Sequence, residues 1–306
     1  MTKRLLLFFI ATAASSLFGL EFYVGQVGEK TPEGGFKISN CNFGRSYHYK
    51  TDLYKIKPSS VDNLTVRPGQ TVEFDQNLNI GGLGFDAPKL VFAKGKTIKL
   101  RNGWNSELSP GKIHLQDCNV EIGHNLNFSF WHKRTWGGVA NIELENTKMF
   151  VKGSVFCVVA VHPEVSLNTR CGPEIILNGN SQLAFGTGAV IDEIFATNHD
   201  VWSFRFKFII KGDTPPRLTF NEIKARGLEF FFEVKDAKIK PGTYPLVTLI
   251  DRDSALSDSV FKLNGQPYTL GSRFSVGGKD ARIEFGASPA GKDSKTANDL
   301  LLIISK

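Results

Sequence analysis

The sequence predicts an all-β chain folded as a right-handed parallel β-helix with a cap at each end. Three observations predict it. Apolar residues recur with period two in short segments: Val72/Phe74, Ile98/Leu100, Ile113/Leu115, Ile142/Leu144, Phe204/Phe206/Phe208, Leu228/Phe230/Phe232/Val234 and Ile283/Phe285. That is the pattern of strands with one buried face. Secondly, a unit of strand, polar corner, strand and Gly repeats. It runs through Ile113–Asp117–Ile122–Gly123, Ile142–Asn146–Val151–Gly153 and Ile175–Asn180–Phe185–Gly186, and in shorter form through Val72–Phe74–Ile80–Gly81. Such a unit buries its apolar face only by stacking on copies of itself. Thirdly, 25 Phe stand against 6 Tyr and 4 Trp, a bias that fits like rings stacked along one axis. An antiparallel sandwich or jelly roll is the competing all-β reading.

The elements follow in order. Residues 1–19 read as a signal peptide: Lys3 and Arg4 precede the apolar run Leu5–Ala11, and small residues Ala13 to Ser16 follow. An uncleaved anchor is the alternative, but the run is well short of the ~20 residues a spanning helix needs. No later stretch is apolar enough to span, so the expected product is secreted, at the cell surface or in the periplasm. Residues 20–60 are polar and irregular and read as an N-terminal cap. Residues 61–235 carry the repeats, about seven to ten coils of about 20–35 residues. The corner residues Asp117, Asn146 and Asn180 tolerate a left-handed backbone. Residues 236–306 read as terminal rungs and a C-terminal cap, closing on the apolar run Leu300–Ile304.

Of the formal charge of +7, Lys3 and Arg4 contribute two. The remainder suits solubility or attraction to polyanions and falls short of a nucleic-acid footprint. Export makes Cys41, Cys118, Cys157 and Cys171 disulfide candidates in any of three pairings, with Cys157 and Cys171 nearest in sequence. No CxxC or HxxxH spacing supports a metal site, and no cofactor motif is present.

Five stretches resemble two known families. Pro241-Gly-Thr-Tyr-Pro-Leu-Val247, Phe261-Lys-Leu263 and Asp299-Leu-Leu-Leu-Ile303 resemble the closing region of bacterial autotransporter β-helix passengers, as does the rung Asn178–Gly186. Val66-Arg-Pro-Gly-Gln-Thr-Val72 is similar to the opening strand of pectate-lyase-like β-helices. The resemblance implies fold and export. The chain has no room for the translocating barrel of an autotransporter, so the resemblance does not imply the export route.

Three constellations are candidates for function. Trp131-His132-Lys133-Arg134-Thr135-Trp136 places three potential cations between two indoles, a composition suited to an acidic sugar. Its bland reading is a surface corner. Lys99 and Arg101 project outward because Ile98 and Leu100 point inward; with Lys112 on a following strand they form a basic ladder, or simply solvate an exposed strand. Asp192, Glu193, His199, Asp200 and Arg205 form the one cluster comparable with the catalytic groups of β-helix lyases and hydrolases, with Lys133 as a candidate base. Nothing in the sequence fixes their geometry. The expected role is a non-catalytic surface or matrix protein, an adhesin-like scaffold or binder of acidic polysaccharide or cell-surface glycan. A polysaccharide lyase or glycoside hydrolase is the alternative.

Overall fold

A computed structural model describes residues 21–25, 35–44, 53–54, 58–67, 69–85, 88–107, 111–132, 140–161, 173–186, 189–190, 204–221, 223, 228–250, 256, 259–287 and 298–305. Its strands form three sheets, here faces 1, 2 and 3. From Asn63–Val66 to Arg217–Phe220 the chain visits face 1, then 2, then 3, and repeats this through six coils. Every pairing between successive coils in that stretch is parallel and in register. The architecture is therefore an all-β solenoid of parallel sheets, and the antiparallel sandwich falls away. The sole helical element among the described residues is the three-residue 3₁₀ turn Ile38–Asn40, and no helix there is long and apolar enough to cross a membrane.

Antiparallel pairing appears at both ends. On face 1, Glu21–Gly25 pairs in parallel with Asn63–Val66, and its other edge pairs antiparallel with Asn42–Gly44. On face 3, Gly242–Leu249 follows the parallel stack, and Asp299–Ile304, Lys279–Gly286 and Arg273–Val276 continue it antiparallel.

The period-two residues form the core as columns. Val72, Val91, Ile113, Ile142, Ile175, Phe206 and Phe230 are successive partners on face 2, none more than 3% exposed. The column turns from β-branched to aromatic along the chain. Phe206, Phe230 and Phe261 stack with centroids 5.8 and 5.7 Å apart and planes within 19°, and Phe185 stacks on Phe220 at 5.3 Å. This accounts for much of the Phe excess. Two expectations from periodicity fail at the C-terminal end. Phe285 is 39% exposed, on a strand that pairs antiparallel at the end of face 3, and Val234 is half-buried because it lies past the end of the next strand, whose pairing stops at Phe232 with Leu263.

The corner from face 2 to face 3 is short and ordered by polar side chains. Gly95, Asp117, Asn146 and Gly179 occupy equivalent positions on four coils, all with left-handed backbone (φ between 48° and 66°). Asp117 and Asn146 were expected there. The third expected residue, Asn180, was misplaced by one: Gly179 takes the left-handed conformation, where a side chain would meet the Asn146 amide oxygen. The next position inward is Cys118, Thr147 and Ser181, each at most 2% exposed. Thr147 Oγ1 donates to Leu115 O (2.8 Å) and accepts from the Cys118 N–H (3.2 Å). Ser181 Oγ bonds Leu144 O (2.8 Å) and accepts from the Thr147 N–H (3.2 Å). Cys118 ends the ladder as a free thiol donating to Ala93 O and Gln116 O. Burial pushes its pKa up, which keeps it the neutral donor. Cys118 is thus a rung of this ladder.

Candidate functional site

Corner lengths decide which face stands open. Between faces 2 and 3 the strands are joined by short turns, such as Gly95–Lys96, and between faces 3 and 1 by single Gly81 or triplets such as Lys152–Ser154. From Leu78–Ile80 to Lys148–Val151 the strands of face 3 are therefore bordered on both sides by tight turns. Within the six parallel coils the long connections leave face 1 for face 2: His132 to Ala140, Val161 to Glu174 and Val190 to Phe204, on three consecutive coils.

On the outer side of face 3, alternation fixes what projects. Because Ile98 and Leu100 are buried, Lys99 and Arg101 are exposed; because Met149 and Val151 are buried, Lys148, Phe150 and Lys152 are exposed. Arg217 projects two coils beyond Lys148, in the column Asn119, Lys148, Gln182, Arg217. On its strands from Leu78–Ile80 to Arg217–Phe220 the face carries a single acid, Glu121, which pairs with Lys99 at 3.1 Å with both side chains more than half exposed. Pairs of that kind contribute about 0–1 kcal/mol, and Lys99 gives its partner up readily. Arg101, Lys148, Lys152 and Arg217 have no acidic partner among the described residues. Phe150, 49% exposed, stands between Lys148 and Lys152 along the chain, with Glu121 and Ala184 as its neighbours on the adjoining coils.

Face 2 shows what a neutralised surface looks like in the same molecule. Lys112 pairs with Glu143 (3.2 Å), His114 with Glu145 (3.2 Å), Lys211 with Glu145 (2.7 Å) and Lys207 with Glu233 (2.8 Å). Arg205 bridges Glu174 (3.5 Å) and Glu229 (3.0 Å) and lies over the Phe231 ring at 4.4 Å. Hydrogen bonds from Lys211, together with its charge and that of His114, hold the Glu145 carboxyl below the usual carboxylate range despite its burial. Lys207 and Lys235 do the same for Glu233. These charges are spent on each other.

The sequence-derived candidates divide accordingly. Lys99 and Arg101 lie on face 3, but the ladder they were expected to share with Lys112 does not form, because Lys112 stands on face 2. Trp131 and His132 end the face 1 strand Leu126–His132. Lys133, Arg134, Trp136, Asp192, Glu193, His199 and Asp200 lie outside the described residues, as does Cys171. Cys157 belongs to the face 1 strand Val155–Val161, and Cys41 is buried with its thiol donating to Lys37 O. The sequence reading missed Lys148, Phe150, Lys152 and Arg217. Their signal was present: apolar Met149 and Val151 force Phe150 outward between two lysines. Among the described residues no His, Cys, Asp and Glu side chains gather in a group that could hold a metal ion.

No protein-family model matches this chain, and no curated protein matches its sequence.

Proposed function

We propose that the chain is an exported, non-catalytic surface or matrix protein, a right-handed and end-capped β-helix whose third face binds acidic glycan. The observation that carries this reading is the set of cations without acidic partners among the described residues on the parallel coils of face 3, where Phe150 stands between Lys148 and Lys152 along a strand bordered by short turns. An aromatic face packs against the C–H face of a pyranose while Lys and Arg meet carboxylates or sulfates. A face left unneutralised beside one so thoroughly paired is fitted to attract an anionic partner and discriminate against others. Right-handedness is supported by the twist preference of parallel crossovers. Capping is supported by the antiparallel strands at both ends, which shield edges that would otherwise recruit other chains. Export is supported by the Lys3/Arg4 and Leu5–Ala11 pattern.

The test is retention of the full chain on immobilised polygalacturonate and hyaluronan against a neutral glucan, with assay of the eluates for new sugar ends. Retention on the acidic polymers alone is expected, lost near 1 M salt, where the screening length falls to about 3 Å. Equal retention on the neutral glucan, or none on any polymer, overturns the proposal. Sustained formation of reducing or unsaturated ends favours the lyase or hydrolase alternative, which rests on Asp192, Glu193, His199, Asp200 and Lys133.

A further inference from the structure

The cations of face 3 are not evenly spread. Along the parallel coils they fall on alternate rows: Lys99 and Arg101 on or beside strand Thr97–Leu100, Lys148 and Lys152 two coils on, and Arg217 two coils further. The rows between carry Asn119, Glu121 and Gly123, and Gln182, Ala184 and Gly186, with no cation. One border of this pattern is set by the backbone. Gly81, Arg101, Gly123, Lys152 and Gly186 form a column at the corner with face 1. A methyl group at Gly123 would run into the Arg101 carbonyl oxygen, and one at Gly186 into the Lys152 carbonyl oxygen. Glycine thus follows each of the two coils that bear a side chain in this column, where the close approach of the preceding carbonyl excludes a Cβ, and both of those side chains are long cations.

We infer that the ligand of face 3 is a linear polyanion lying across the strands, along the stacking direction, with its anionic groups on every second sugar. This rests on the acidic-glycan reading above and adds the spacing. Parallel strands lie ~4.8 Å apart, so cationic rows two coils apart repeat at ~10 Å. A pyranose spans a length comparable with one strand separation, so an extended glycan advances by about one coil per sugar. Carboxylates on alternate sugars then meet successive cationic rows, while uncharged sugars lie over the rows of Asn, Gln, Ala and Gly. A polymer charged on every sugar sets half of its carboxylates over rows without a cation, one of them holding Glu121.

The experiment compares hyaluronan oligosaccharides, with a carboxylate on every second sugar, with polygalacturonate oligosaccharides, with one on every sugar. They are matched for total charge and titrated into the full chain at low salt, with single-stranded DNA as a third polyanion. Hyaluronan is expected to bind at least fivefold more tightly than polygalacturonate, and DNA more weakly than either. Gln182→Lys, at an exposed position between Lys148 and Arg217, supplies a cation on an empty row and is expected to bring the preference below twofold. Equal affinity for the two glycans overturns the spacing while leaving acidic-glycan binding intact. Absence of binding to both removes the two readings together, and tighter binding of DNA replaces them with nucleic-acid binding.

Discussion

At the scale of single residues, the buried hydroxyl ladder is the most exposed to test. Thr147 Oγ1 is the acceptor for the Cys118 N–H, and a valine of the same shape leaves that buried donor unsatisfied. Thr147→Val is expected to destabilise the chain by about 1–3 kcal/mol, read from the urea midpoint. Glu145 and Glu233 set an acid limit. Their carboxyl pKa values are lower folded than unfolded, so the stability they contribute is fully present above the ordinary carboxylate range, about pH 4.3. It is lost as pH falls through the depressed values. In a denaturation series from pH 6 downward, Glu145→Gln with Glu233→Gln is expected to be less stable than the parent at pH 6 and to lose less on acidification. Equal slopes contradict that assignment. Legibility at this scale was high where backbone chemistry is local. Asp117 and Asn146 were recognisable as left-handed corners, and Asn180 was misplaced because the neighbouring Gly179 adopts that conformation with less strain.

Among elements, the strand–corner–strand unit visible in the sequence corresponds to faces 2 and 3 and the turn between them. Face 1 was not legible as part of the repeat. Strands such as Gly82–Phe85 and Trp104–Glu107 carry glycine and polar residues outward and give only a weak alternation. Without face 1 the corners cannot be counted, which is why Lys99 and Lys112 were expected on one surface. Stacking predicts two costs. Phe206→Ala removes a fully buried ring that touches Phe204, Phe220 and Phe230 and is expected to cost about 3–5 kcal/mol in chemical denaturation. Gly123→Ala forces its coil away from the Arg101 carbonyl and is expected to cost about 1–3 kcal/mol, the usual range for overpacking. An unchanged midpoint for Gly123→Ala means that the coils separate freely there, and the fixed alternation of Gly with Arg101 and Lys152 loses its cause.

On the scale of the whole molecule, one chain presents three differently finished surfaces: a face that gives rise to the long connections, a face on which Lys112, Arg205, Lys207, Lys211 and Lys235 are paired with acids, and a face whose parallel coils carry Arg101, Lys148, Lys152 and Arg217 without acidic partners among the described residues. The difference between the second and third is the central claim, because similar lysines stand on both. The most direct measurement compares two variants that lose equal charge. Lys148→Ala with Lys152→Ala empties face 3, whereas Lys112→Ala with Lys235→Ala removes exposed cations that pair with Glu143 and Glu233 on face 2. Each is titrated with hyaluronan oligosaccharides at low salt after its fold has been checked by circular dichroism. The face 3 pair is expected to weaken binding tenfold or more, about 1.4 kcal/mol, and the face 2 pair by less than twofold. Equal losses from the two pairs would mean that net charge alone attracts the glycan, and would contradict the assignment of binding to face 3.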